Sequence, residues 1–150
     1  MAGAIVAAVA ALAGVLLQAL IGGRRARAER RRAEFVDTVR GVLAAYVEFR
    51  SEQYLKIAAR REGHGDSDES RRARYAARSA LTAAIDALYT ATDDQQLLAA
   101  AEEARELAVA LGDAAPAPGQ VDETAVEEIG QRARESHSDL RQAAHKALHH

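Results

Sequence analysis

The sequence predicts an all-α protein, with a single N-terminal transmembrane helix followed by an antiparallel cytoplasmic bundle of about four helices. Three observations carry that expectation. Residues 2–23, AGAIVAAVAALAGVLLQALIGG, contain no charge and no proline, and Gln18 is their one polar side chain. Apolar residues then recur at helical spacing in several separate stretches, divided by glycine- and proline-bearing turns. No stretch alternates apolar and polar residues as a half-buried strand would.

The first element sets the address. A continuous uncharged run of this length reads as a membrane span, because only a helix satisfies its own backbone groups in hydrocarbon. Nine side chains favour insertion: Ile5, Val6, Val9, Leu12, Val15, Leu16, Leu17, Leu20 and Ile21. Together they contribute about 3–5 kcal/mol, opposed by the glycines and Gln18 and diluted by near-neutral alanines. A cleaved secretory signal would need a positive region before the apolar run, whereas here the charge follows it. A buried core helix would have to hide every face of this segment inside a small helical body.

Residues 24–34 form a basic juxtamembrane segment. Six arginines, Arg24, Arg25, Arg27, Arg30, Arg31 and Arg32, stand against Glu29 and Glu34, a net charge of +4. Under the positive-inside rule they leave the amino terminus outside and the rest of the chain in the cytoplasm, a single-pass protein of the cytoplasmic membrane. They can also rest on anionic headgroups. Nucleic acid is a weaker partner for them, since their position already accounts for the charge and the two glutamates dilute it.

Residues 35–150 form the helical bundle, with loops near 63–67 and 113–121. The first bundle helix continues from the basic segment to about Glu62, with Phe35, Val39, Val42, Tyr46 and Phe49 at spacings of four and three. Val36, Leu43 and Val47 widen this stripe, which is expected to pack in the bundle or against a partner. Glycines 63 and 65 permit a reversal, and Asp66 with Glu69 has the spacing of a capping box for a helix from about Ser67 to Ala91. That helix presents Ala77, Leu81, Ala84, Ile85 and Leu88, with Tyr75 and Tyr89 at the margins.

Thr92-Asp93-Asp94-Gln95 reads as a second capping box, opening a helix with Leu97, Ala101, Ala104, Ala108 and Leu111 on one face, flanked by Leu98 and Leu107. Gly112 is the expected stop. Both prolines lie in DAAPAPGQ, residues 113–120, which cannot continue a helix. The last helix is expected to start with Asp122 as N-cap and to bury Val126, Ile129, Ala133, His137, Leu140, Ala144 and Leu148.

Composition bounds the chemistry. A chain of 150 residues, less its span, holds one small domain. The absence of cysteine excludes disulfides and thiolate chemistry. The net charge of −2 conceals an asymmetry, with +5 over residues 24–62 and −7 over residues 90–150. Such a body would orient its basic end towards an anionic leaflet.

The search for sites yields no catalytic residue, no cofactor-binding residue and no metal set. His145 and His149 stand four apart, but no third or fourth ligand lies nearby. There is no HExxH, phosphate loop or nucleophile elbow, and Glu102, Glu103, Glu106, Glu127 and Glu128 read as solvated helix faces. The chain is therefore expected to be non-enzymatic, without cofactor or small-molecule substrate. Its expected partners are the membrane, and either a second copy or another membrane-associated protein.

The apolar span, RRARAERRR at 24–32, AAYVEFR at 44–50, TDDQQLLAAAEEARELA at 92–108 and LRQAAHKAL at 140–148 together resemble the KilB-type small membrane proteins of actinomycete conjugative plasmids. The resemblance runs loosely over most of the chain. The chain departs from that pattern in lacking tryptophan and in carrying leucine where the last helix would have an aromatic residue. The resemblance implies an accessory role in transfer or spread of a mobile element, through a membrane complex and without enzymatic activity. Two other classes compete. One is a membrane-perturbing toxin whose spans gather through small residues such as Gly3, Ala7 and Ala11. The other is a soluble helical regulator with a buried first helix.

Overall fold

A computed structural model describes residues 2–149, with the side chains of residues 22–149. The chain is all-α, with four helices: α1 (Ala2–Arg61), α2 (Asp68–Ala91), α3 (Gln95–Asp113) and α4 (Glu123–His149). It divides into two compact units, Met1–Phe35 and Val36–His150. In the first unit the arginines from Arg24 to Arg32 are exposed. The nine side chains expected to insert, Ile5 to Ile21, lie outside the described residues. Among residues 22–149 no helix is long and apolar enough to cross a membrane.

The second unit is a helical bundle. Val39, Val42, Tyr46 and Phe49 are buried, Phe35 just before the unit is half-buried, and Val47 is 45% exposed. Val47 follows directly on Tyr46, about 100° further round the helix, so it falls off the face that α1 buries. The buried face does not stop at Phe49. It runs on through Gln53, Ile57 and Arg60 to the end of the helix.

The turns and caps depart from the expected ones in detail. After Arg61 the chain reverses in a Schellman turn: Gly63 N–H donates to Arg60 O (3.1 Å) and His64 N–H to Ala59 O (2.8 Å), with Gly63 at φ +76°. Ser67, not Asp66, caps α2, its hydroxyl accepting from Ser70 N–H at 3.0 Å. The carboxylate of Asp66 is engaged by Arg60 and Arg74. Likewise Asp94 caps α3, accepting from Gln96 N–H (3.0 Å) and Leu97 N–H (3.1 Å), while Thr92 is the C-cap of α2. A carboxylate one residue from the helix start satisfies two free N–H groups at once, so it displaces the threonine.

Gly112 does not stop α3, which continues to Asp113. The connection that follows folds inward: Ala114 and Ala115 are buried, Gly119 N–H donates to Arg60 O (2.8 Å), and Asp122 N–H donates to Ala114 O (2.9 Å). Asp122 then accepts from Ala125 N–H at 3.0 Å, the expected start of α4.

Small residues allow close helix approach. Ala104 and Ala108 of α3 and Ala133 of α4 are fully buried, and α3 packs on α4. Contacts between α1 and α4 run in opposite chain directions. Tyr46 meets Ala133 and His137, Ile57 shares a buried cluster with Val126, and Arg61 meets Glu123, so the two helices are antiparallel.

Candidate functional site

Apart from Phe35, the stripe expected to serve either the bundle or a partner lies inside the second unit. Tyr46 is its anchor: the ring is fully buried and its hydroxyl donates to Ala133 O at 2.8 Å, which satisfies a polar atom that would be costly to bury alone. Burial pushes the phenol pKa up, outweighing the opposing charge and hydrogen bond of Arg50. The Arg50 guanidinium carbon lies 5.3 Å from the Tyr46 ring centre, and the His137 ring lies 5.0 Å from it on the other helix. Burial, followed by the charges of Arg50 and Arg141, holds His137 below the usual histidine value. This is a packed core-edge cluster.

A second constellation closes the C-terminal end of α1. Arg60, a residue type almost never buried unless paired, is 5% exposed. Its guanidinium donates to His64 O (2.8 Å) and pairs with Asp66 at 2.8 Å, and Arg74 of α2 pairs with the same carboxylate oxygen at 2.6 Å. Burial pushes the Asp66 carboxyl up, but the hydrogen bonds and charges of Arg74 and Arg60 together outweigh it and hold the group below the usual carboxylate range. One acid thus ties α1, the turn and α2 together.

Beside this triad lies a cleft of about 230 Å³ between α1, α2 and α3. Its floor includes Phe49 and Gln53, and its walls carry Lys56, Arg71, Arg74, Tyr75 and Arg78 against Asp66 and Asp113. The Lys56 ammonium donates to Gly112 O at 2.6 Å. Burial, then the Arg74 and Arg60 guanidiniums, push its pKa below the usual lysine value, against the pull of Asp113 and Asp66. Sequence spacing alone did not bring these side chains together. The signal available was the density of arginine early in α2, at 71, 72, 74 and 78, three of which, Arg71, Arg74 and Arg78, line the cleft with Lys56.

The remaining candidates behave as surface groups. Glu102 pairs with Arg105 at 2.7 Å, Glu127 and Glu128 are exposed, and the exposed Glu123 takes a two-pronged contact from Arg61 at 2.7 and 2.6 Å. His149 lies against His145, ring centres 4.2 Å apart, with its Nδ1 2.7 Å from His145 O. Among the described residues no group of three or more His, Cys, Asp or Glu side chains could hold a metal ion.

Comparison with known families decides the relationship: the KilB plasmid transfer protein model matches residues 36–148. The chain belongs to the KilB plasmid transfer protein family. The matched stretch of this KilB-family chain coincides with the second compact unit, the helical bundle and its loops. No curated protein and no solved structure matches the chain.

Proposed function

We propose that this KilB-family protein is a membrane-anchored, non-enzymatic adaptor that assists transfer or spread of a conjugative element through protein contacts at the cytoplasmic membrane. The observation that carries this reading is the family match over the whole bundle, preceded in the same chain by an uncharged 22-residue run and then by six arginines. An anchor at one end and a helical body at the other suit a protein that holds a partner at the membrane. The sequence chemistry supports a single span with the amino terminus outside and the bundle inside. The bundle packs its main aromatic stripe inward, which leaves partner contacts to its outer faces.

The decisive experiment is crosslinking of the intact protein in native membranes, with identification of the captured chain. Capture of a transfer protein or of a second copy supports the adaptor. Recovery of the intact protein in the soluble fraction, without detergent, overturns the anchor. Orientation has its own measurement: cysteines introduced at Gly3 and at the exposed Gln120 should react with an impermeant thiol reagent from outside and only after lysis, respectively. The reverse pattern refutes the assigned topology.

A further inference from the structure

We propose that the cleft between α1, α2 and α3 is a binding site for a phosphomonoester group, held by Arg71, Arg78 and the Lys56 ammonium. The charge of the lining points to a dianion. Four cations, Lys56, Arg71, Arg74 and Arg78, face two carboxylates, Asp66 and Asp113, leaving a surplus of two positive charges. The carboxylate of Asp66 is already spent, since it pairs with both Arg60 and Arg74.

The cations that remain have donors to give. Arg78 makes no ion pair among the described residues, and Arg71 holds only the exposed Asp68 at 3.2 Å, a surface pair worth about 0–1 kcal/mol and easily exchanged. Lys56 uses one of its three N–H groups on Gly112 O and is short of negative charge around it, because two guanidiniums lie close by. Two guanidinium forks beside an ammonium match the several acceptor oxygens of a phosphate better than the two of a carboxylate.

Size sets the class further. At about 230 Å³ the cleft falls below the roughly 300–1,000 Å³ of sites that enclose drug-sized ligands. It therefore suits a phosphate carrying a small polar group rather than a whole nucleotide. The hydroxyl-bearing ring of Tyr75, 64% exposed, stands at the rim. Such a phosphate could come from a soluble phosphomonoester or from a lipid headgroup, and the recognising chemistry is the same.

The test uses the full chain in uncharged detergent micelles, titrated calorimetrically at fixed ionic strength with glycerol 3-phosphate and, separately, with glycerol plus sulfate. Arg78→Gln and Arg71→Gln are compared with Arg132→Gln, an exposed arginine on α4 outside the cleft. Circular dichroism first establishes that each variant keeps its helix content. The expected result is saturable phosphate binding that each cleft variant weakens roughly tenfold and Arg132→Gln leaves unchanged, as the loss of one charge-assisted hydrogen bond requires.

A second arm takes the protein in phosphatidylcholine nanodiscs with or without phosphatidic acid vesicles added. Association that needs Arg78 and is displaced by glycerol 3-phosphate assigns the headgroup source. Phosphate binding without vesicle association assigns the soluble source. No saturable binding of the phosphate, or equal binding by wild type and Arg78→Gln, overturns the site. Neither outcome bears on the adaptor reading, which stands on membrane fractionation.

Discussion

Gly112 of α3 faces α1, and the side-chain amide of Gln53 occupies the space that a Cβ would need. The glycine is there for close approach rather than for a turn, which is why α3 passes through it. Gly112→Ala should therefore destabilise the bundle by about 1–3 kcal/mol, read as a lower urea midpoint. Trimming the obstructing side chain in Gly112→Ala/Gln53→Ala should cost less than the sum of the two single changes; additive costs would mean that the two residues do not meet. His137 makes a prediction in pH. Its folded pKa lies below the unfolded value near 6.5, so the unfolded chain takes up its proton first as pH falls. Stability should be full above about pH 6.5 and decline below it, levelling off once the folded ring also protonates. His137→Gln should flatten that slope in denaturant titrations between pH 7 and 5. An unchanged slope would show that the ring is as free to ionise as in the unfolded chain.

At the scale of elements, helix number and order, and the helix ends to within a few residues, were legible because each rests on local chemistry. Apolar spacing marks Leu81, Ile85 and Leu88 or Leu97, Ala101 and Ala104, and each of these is buried where the spacing puts it. What escaped was decided by residues distant in sequence. The buried face of α1 continues through Gln53 and Arg60, two polar residues that interrupt any apolar count, because Gly112 and Asp66 receive them. The same pairing moved the α2 cap from Asp66 to Ser67, and the cleft beside it needs three helices in place before it exists. Asp66→Asn tests that arrangement. It removes one charge facing the nearly buried Arg60 and the partly buried Arg74, and breaking such a cluster costs about 3 kcal/mol. Because the folded carboxyl titrates below the usual range, the contribution is present above the unfolded value near 3.9 and lost as pH falls through the folded one. The variant and wild type should thus converge in stability at strongly acid pH. By contrast Asp94→Ala, which removes only the cap of α3, should cost about 1 kcal/mol at neutral pH.

The whole molecule pairs a family-matched bundle with a separate N-terminal unit of different composition. The bundle carries its net negative charge in residues 90–150, where an acidic surface disfavours contact with an anionic leaflet, while the exposed arginines from 24 to 32 favour it. In the proposed reading membrane attachment depends on the first unit, and there the margin is thin: nine favourable side chains supply about 3–5 kcal/mol. A charge placed at the centre of the run costs about 2.5–3.5 kcal/mol on the same scale, close to the entire gain. Leu12→Arg should accordingly shift the protein from the membrane to the soluble fraction. Its bundle should keep the same helical signal and cooperative unfolding, since no residue of 36–150 is altered. Retention of Leu12→Arg in carbonate-washed membranes would mean that something other than the apolar run holds the protein there. The measurement separates the two units: loss of the membrane together with loss of the bundle's cooperative transition would show that the body depends on its anchor for folding.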